Sequence, residues 1–274
     1  MFDLPEPVPY RLSRPPLVQA LVQVRYPVVA SLGTVAGVAP LQKRLGQRLP
    51  YMEPVSSNMS LQIGPSGAIV EPGPPDGWQL ADDEGHKLLL APGAANLVVD
   101  NRYKGVQEFS ELLEFCLSGI VEAEAIRRCT RLGVRYLSVA PPSPDNEYSW
   151  MDWFRPEVQG WSSRNLLNAK LEASANRVQI KGGLEGEFSD FPSPAQGLIT
   201  TGWFPAGAVI SGLPPIPLDS ASFVVDFDFF VEGVQSFSVE KLVDQFKKLH
   251  SQMDRFFHWS LTPKGAEHFG LEDK

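Results

Sequence analysis

Gly105-Val106-Gln107-Glu108-Phe109-Ser110 recurs 128 residues later as Gly233-Val234-Gln235-Ser236-Phe237-Ser238, five identities in six. Each copy leads into a stretch of helical periodicity. After the first, Phe109, Leu112, Leu113, Cys116, Leu117 and Ile120 fall at three- and four-residue spacing, which predicts an amphipathic helix over 106–124. After the second, Leu242, Val243, Phe246, Leu249, Met253 and Phe256 do the same over 239–259, with Ser238 placed to cap the helix. Self-similarity at such a distance bears on the whole architecture, so it is weighed before local structure.

Outward from the repeat, the two halves share an order of elements. The first half reads as a strand over 17–29, a short helix over 41–49 stopped by Pro50, strands over 60–64, 78–81 and 87–100, then the long helix. The second half reads as a strand over 129–139, a short aromatic segment over 150–154, strands over 166–174, 177–184, 197–204 and 222–230, and the closing helix. Val24-Arg25-Tyr26 returns as Val134-Arg135-Tyr136, and Val98-Val99-Asp100 as Val224-Val225-Asp226. With the hexapeptide these matches are collinear, at offsets of 110, 126 and 128, so the second half carries an insertion between the first two. The expectation is an α+β fold of two similar halves, 1–126 and 127–274, packed as one globular unit. Each half is an antiparallel sheet with a short helix and a long closing helix, helix-grip-like and descended from an internal duplication. A sheet gripping a helix leaves a cleft where a ligand or a partner segment can settle.

The composition is that of a globular protein, 43% apolar and 20% charged over 274 residues. A net charge of −8, with no basic run longer than Arg127-Arg128, argues against nucleic acid as a partner, because binding to phosphates needs a surplus of cations. The 25 prolines cluster in 5–16, 65–75, 141–144 and 205–217, which read as loops between strands. Cys116 and Cys129 lack metal or redox spacing and read as buried thiols of a reducing compartment, a disulfide being the lesser alternative. No cationic, apolar leader opens the sequence, and no apolar run approaches the ~18 residues a membrane helix requires. The expected location is the cytoplasm.

Among groups able to do chemistry, Asp226 and Asp228 stand first. Two residues apart on a strand, they project to one face while Val225, Phe227 and Phe229 take the other. Such a pair can ligate Mg²⁺ for phosphoryl transfer. It can equally be paired to Arg25 and Arg135 on neighbouring strands, which is the commoner use of a sheet acid. Arg25 and Arg135 are themselves candidates for an anion site if they converge. The four histidines offer no metal spacing: His250 and His258 lie two turns apart, His86 sits in a polar turn that suggests solvent, and His268 lies in the tail. Gly182-Gly183 and Gly186 are interleaved with Glu185 and Glu187, which would repel a phosphate. Tyr148, Trp150, Trp153, Phe154 and Trp161 form the densest aromatic stretch in the chain, framed by acids and prolines, and read as a contact surface or as core beneath a loop. No cofactor is implied.

Arg14-Pro15-Pro16-Leu17-Val18-Gln19-Ala20, Arg131-Leu132-Gly133-Val134-Arg135-Tyr136, Val225-Asp226-Phe227-Asp228 and the closing helix with Leu249-His250, Phe256-Phe257 and Leu261-Thr262-Pro263 come in an order that resembles a sporadically distributed family of prokaryotic proteins of about this length, of no established function. The likeness spans nearly the whole chain through short motifs. It departs where the loop before Trp78 is expanded with glycine and proline. No catalytic role follows from it. Patchy distribution accompanies mobile defence or toxin–antitoxin loci, so the resemblance implies such a context. The absence of a catalytic set in the sequence, its acidic balance and the aromatic cluster point to non-enzymatic binding of another protein as the expected function, with a homodimer compatible. The alternatives are a metal-dependent enzyme acting on a nucleotide or phosphate ester through Asp226 and Asp228, or a small-ligand sensor using the helix–sheet cleft.

Overall fold

The computed structural model describes residues 3–7, 10–55, 59–64, 67–72, 76–124, 126–163 and 171–273. In chain order the elements are β1 (Tyr10–Leu12), β2 (Leu17–Arg25), α1 (Val35–Leu45), β3 (Tyr51–Val55), β4 (Met59–Gly64), β5 (Gly67–Pro72), β6 (Gly77–Ala81), β7 (His86–Ala91), β8 (Ala94–Val99) and α2 (Val106–Ala123). There follow β9 (Arg128–Ala140), α3 (Trp150–Trp153), α4 (Pro156–Gln159), β10 (Asn176–Lys181), β11 (Gln196–Phe204), β12 (Val209–Ile210), β13 (Ile216–Pro217), β14 (Ser222–Ser236), α5 (Val239–Ser260), α6 (Pro263–Phe269) and β15 (Leu271–Asp273). The class is mixed α+β. Among the described residues a large antiparallel sheet runs in the order β10-β11-β14-β9-β2-β8-β7-β6-β3, accompanied by six helices. No helix among them is long and apolar enough to cross a membrane.

The chain divides into two compact units, each assembled from separate stretches. One comprises Leu21–Leu132 with Gly233–Asp244. Its helix α2 buries Phe109, Leu112, Leu113, Cys116, Leu117 and Ile120, the stripe expected from spacing, and each such side chain contributes about 1.5–3 kcal/mol of transfer free energy. Helix α1 packs on α2 so closely that a Cβ at Gly119 would stand 2.6 Å from Leu45 Cδ2. It starts six residues ahead of the expected 41–49, because Thr34 caps it by accepting from Gly37 N at 3.1 Å, and Pro40 lies inside it. The expected single strand over 87–100 is a hairpin, β7 and β8, folded at Pro92-Gly93. A Pro-Gly pair favours such a tight turn, a signal outweighed in the sequence by the apolar run around it.

Two further expectations change here. Strand β2 ends at Arg25, since Pro27 follows, and Val28 is exposed instead of continuing the inward row. The proline-rich stretch 65–75 is not all loop: 67–72 form β5, paired with β4, while 65–66 and 73–75 lie outside the described residues.

The other unit comprises Met1–Ala20, Gly133–Glu232 and Gln245–Lys274. Here β10, β11 and β14 pair in antiparallel register, Val178 facing Ile199 and Ile199 facing Phe227. One face carries Val225, Phe227 and Phe229, all buried. Towards one end of the opposite face, Val224, Leu137, Ile210 and Leu218 make a small second cluster beneath the β12–β13 hairpin. The expected strand over 166–174 falls largely on 164–170, outside the described residues; 171–175 are irregular, with Ser174 N donating to Trp203 O at 2.8 Å. The chain ends pair as β1 with β15.

The repeated hexapeptide takes two conformations. Its glycines agree, Gly105 having φ 129° and Gly233 φ 135°. The first copy, however, is already helical from Val106, because the turn at 100–103 has reversed the chain beforehand: Arg102 Nε and Nη2 grip the Asp100 carboxylate. The second copy stays in β14 through Ser236, and Phe237 N still donates to Arg127 O at 3.0 Å. At φ 129° and ψ 170° Gly105 occupies backbone space that side chains avoid, although no atom lies within 4 Å of where its Cβ would stand. Gly105→Ala should destabilise by about 1–3 kcal/mol in chemical denaturation through backbone strain alone, and Gly233→Ala, at φ 135°, should carry at least the same strain.

Candidate functional site

The aromatic segment separates into core and surface. Trp150 and Phe154 are fully buried and Trp153 nearly so. Trp150 stacks on Phe223 of β14 at 4.6 Å and 10°, and on Trp203 of β11 at 5.6 Å; Phe154 packs on Phe223 and Phe269. Trp153 stacks on His268 at 3.7 Å, which places that histidine against the core and not in a loose tail. Half-buried Tyr148 leans on Trp203. Of the five aromatics, Trp161 alone stands open, 81% exposed.

What holds Trp161 there is a hydrogen-bonded frame. Helix α4 begins at Pro156, whose missing N–H costs nothing at a first turn, and Gly160 with φ 61° swings the chain into a short turn over 160–163. Asn176 fills the space where a Gly160 side chain would be, and its Nδ2 donates to Gln159 O at 3.0 Å. Thr201 Oγ1 donates to Val158 O at 2.6 Å, and Ser162 Oγ to Gln159 O at 2.6 Å. The turn is thereby pinned to β10 and β11 on the sheet face that carries Thr201, Ile199 and Val178.

Strand β10 ends the strand order. It pairs with β11 through all six residues, and among the described residues no strand pairs with its other side. Every second residue of such an edge turns its N–H and C=O outward. On the helix-covered face Val178 is 51% exposed; on the other, Arg177, Gln179 and Lys181 are exposed. The edge at the far end of the order, β3, differs in carrying Pro54, which cannot donate to an added strand.

The acids of β14 lie as alternation requires, Asp226 and Asp228 on one face. Arg135 of β9 forks onto Asp226, Nε to Oδ1 and Nη2 to Oδ2, both at 2.8 Å, and Nη2 also donates to Ser211 O at 2.6 Å. The hydrogen bond to Asp226 raises the guanidinium pKa further above its ordinary value, so the pair is a permanent clamp. Arg25, at the end of β2, is exposed and belongs to the other unit. No group of three or more His, Cys, Asp or Glu able to hold a metal occurs among the described residues.

Other titratable groups are structural. His86, expected in solvent, is buried: Nδ1 lies 2.8 Å from Asp82 Oδ2, and Asp82 Oδ1 accepts from the backbone N of Glu84 and of His86, so the turn folds around the ring. Cys116 and Cys129 are free thiols whose burial pushes their pKa to about 12 and about 11, leaving both protonated and inert near neutrality. His250 on α5 is enclosed beside Tyr136 and Phe246. Burial lowers its pKa below 6.5, and the Asp254 carboxylate opposes this only in part.

The sequence offered no sign of Val178 and Arg177, because an edge position is a property of strand order and not of a strand's own residues. Comparison with protein-family models and with curated proteins finds no match to this chain.

Trp150 buries its indole N–H without a hydrogen-bond partner. Trp150→Ala should therefore cost about 3–5 kcal/mol in denaturant unfolding, whereas Trp150→Phe, which keeps a ring on Phe223 and removes the orphan donor, should cost much less. Because folded His250 resists protonation, its stabilising contribution is complete above about pH 6.5 and is lost as pH falls through that value towards the folded pKa. Thermal unfolding followed from about pH 7.5 to 5 should show a shallower decline in His250→Phe than in the wild type.

Proposed function

We propose that this chain is a non-enzymatic binding protein whose partner is another protein, taken as an extended segment along the outer edge of β10 with Trp161 as the anchor. The observation that carries this reading is Trp161, 81% exposed on a turn that three side-chain hydrogen bonds hold in place. Leaving a rigid indole in water has no stabilising effect on the fold, while a pre-ordered aromatic is the kind of group that dominates interface energies, since little rotamer freedom remains to be lost on binding. The strand edge beside it supplies backbone donors and acceptors, the basis of strand addition.

Charge indicates what the partner carries. Arg177 and Lys181 make a basic strip on a chain of net charge −8. Antiparallel self-pairing centred on Gln179 would set Arg177 opposite Lys181 of the second copy, which is unfavourable. An extended segment with acidic residues facing Arg177 and Lys181 and an apolar residue near Val178 fits better, so a different protein is favoured over a second copy. The defence or toxin–antitoxin setting rests on the family resemblance alone, and a cytoplasmic location, part of the same proposal, on the free cysteines and on the sequence having no cationic, apolar leader at its start.

We also infer that the two halves descend from a duplication. In the first half β2 lies beside β8 and the order continues β7, β6, β3; in the second, β9 lies beside β14 and the order continues β11, β10. The two matched glycines with φ near 130° support the same reading, which requires similar losses of stability on replacing either with alanine.

Co-expression with the products of the flanking genes, followed by size-exclusion chromatography, tests the binding function. The wild type should elute in a complex. Trp161→Ser combined with Val178→Lys should elute alone with its melting temperature kept, the loss of a central anchor being worth about 2 kcal/mol or more of affinity. No complex from the wild type, or one that the double variant leaves intact, would overturn the proposal.

A further inference from the structure

A cavity of about 340 Å³ lies away from β10, between the C-terminal end of α5, α6 and the N-terminal segment. Its walls are largely apolar, with Pro5, Leu261, Pro263 and Ala266 among them, and two arginines, Arg155 and Arg255, open onto it beside Trp259. Among the described residues no acidic side chain belongs to the lining. A volume of this order suits a small organic molecule.

The two cations are held differently. Arg155, just ahead of α4, donates from Nε to Trp259 O, and its own backbone N donates to Ser260 O at 2.8 Å. This keeps the guanidinium over the Trp259 indole, 5.5 Å from the ring centroid, and leaves its terminal amines for an incoming acceptor. Arg255, on α5, is the anomaly. Its side chain is only 20% exposed, and among the described residues its Nε is buried with no hydrogen-bond partner and its terminal nitrogens make only long contacts, 3.4 Å to Leu4 O and 3.6 Å to Glu6 Oε2. A guanidinium has five donors, and one so far withdrawn from water is ordinarily matched by close acceptors. Glu6 is a poor match, since its own side chain is 77% exposed. Asp254, the acid nearest along the helix, is engaged by Tyr10 Oη at 2.7 Å, and Tyr10 also packs its ring on His258.

We propose that this cavity binds a small organic anion, a carboxylate or phosphate ester on an apolar or aromatic body. The anionic group displaces Glu6 and takes close, charge-assisted bonds from Arg255 and Arg155, while the body fills the space against Leu261, Pro263 and Ala266. Carboxylate and phosphate share the recognition chemistry and differ in charge and donor count. No covalent step is involved.

Titration of the full-length protein with phenyl phosphate, phenylacetate, inorganic phosphate and neutral benzyl alcohol, read by calorimetry and by tryptophan fluorescence, tests the site. At least one aromatic anion should bind saturably, and benzyl alcohol should not. Arg155→Met and Arg255→Met should each weaken binding by about tenfold or more, the worth of a hydrogen bond to a charged group. Glu6→Gln should tighten it, because the competing carboxylate is gone; this outcome requires a folded protein and so guards against an Arg255 variant that fails to fold. No saturable binding at millimolar concentrations, equal binding of the neutral analogue, or affinity unchanged in Arg155→Met and Glu6→Gln would overturn the proposal.

Discussion

Strand β14 has to satisfy opposite demands on its two faces, and much of its unit follows from how it does so. Val225, Phe227 and Phe229 project to one side and must be covered; Asp226 and Asp228 project to the other and must stay solvated or paired. Apolar cover on the first face comes at Phe227 from Phe256 of α5 and, further along at Phe223, from the rings of Trp150 and Phe154. Charge cover comes from Arg135, whose fork onto Asp226 ties β9 to β14 and also holds the loop at Ser211. A one-residue slip would exchange the faces and leave three large apolar groups in water, so the register is strongly specified.

That cover has a geometric by-product. After Trp150 and Phe154 the chain runs through α4 and the turn over 160–163, held to β10 by Asn176 and to β11 by Thr201, and Trp161 stands outside the core. Core and exposed anchor thus belong to one construction. The aromatic-rich stretch acts as both, residue by residue, because a four-residue helix followed by a turn at Gly160 cannot direct all its side chains the same way.

The legible parts of the fold were those with a long period. Helices α2 and α5 lie within a residue of where spacing put them, because an amphipathic stripe repeated over several turns has few competing explanations. The same holds for β9, β11 and the start of β14. Short signals were missed: Pro92-Gly93 is a two-residue event inside an apolar run, and the cap at Thr34 starts α1 six residues ahead of its expected start. His86 looked solvated because its neighbours are polar, yet those neighbours are what enclose it, Asp82 turning inward to accept from ring and backbone alike. For the site, Trp161, Arg135 and Asp226 could be named from sequence, but not which aromatic remained exposed nor which acid the arginine would take.

Alternation along strands, the stripes of α2 and α5 and the α+β class were determined by the sequence itself, since each depends on residues only a few positions apart and on the fixed geometry of helix and strand. Strand order, the edge position of β10, the exposure of Trp161 and the meeting of Arg155 with Arg255 were decided only in the tertiary structure. Each depends on which distant segments come to lie side by side, and the competition among such pairings is resolved by total burial and hydrogen bonding over the folded chain, a quantity no local window contains.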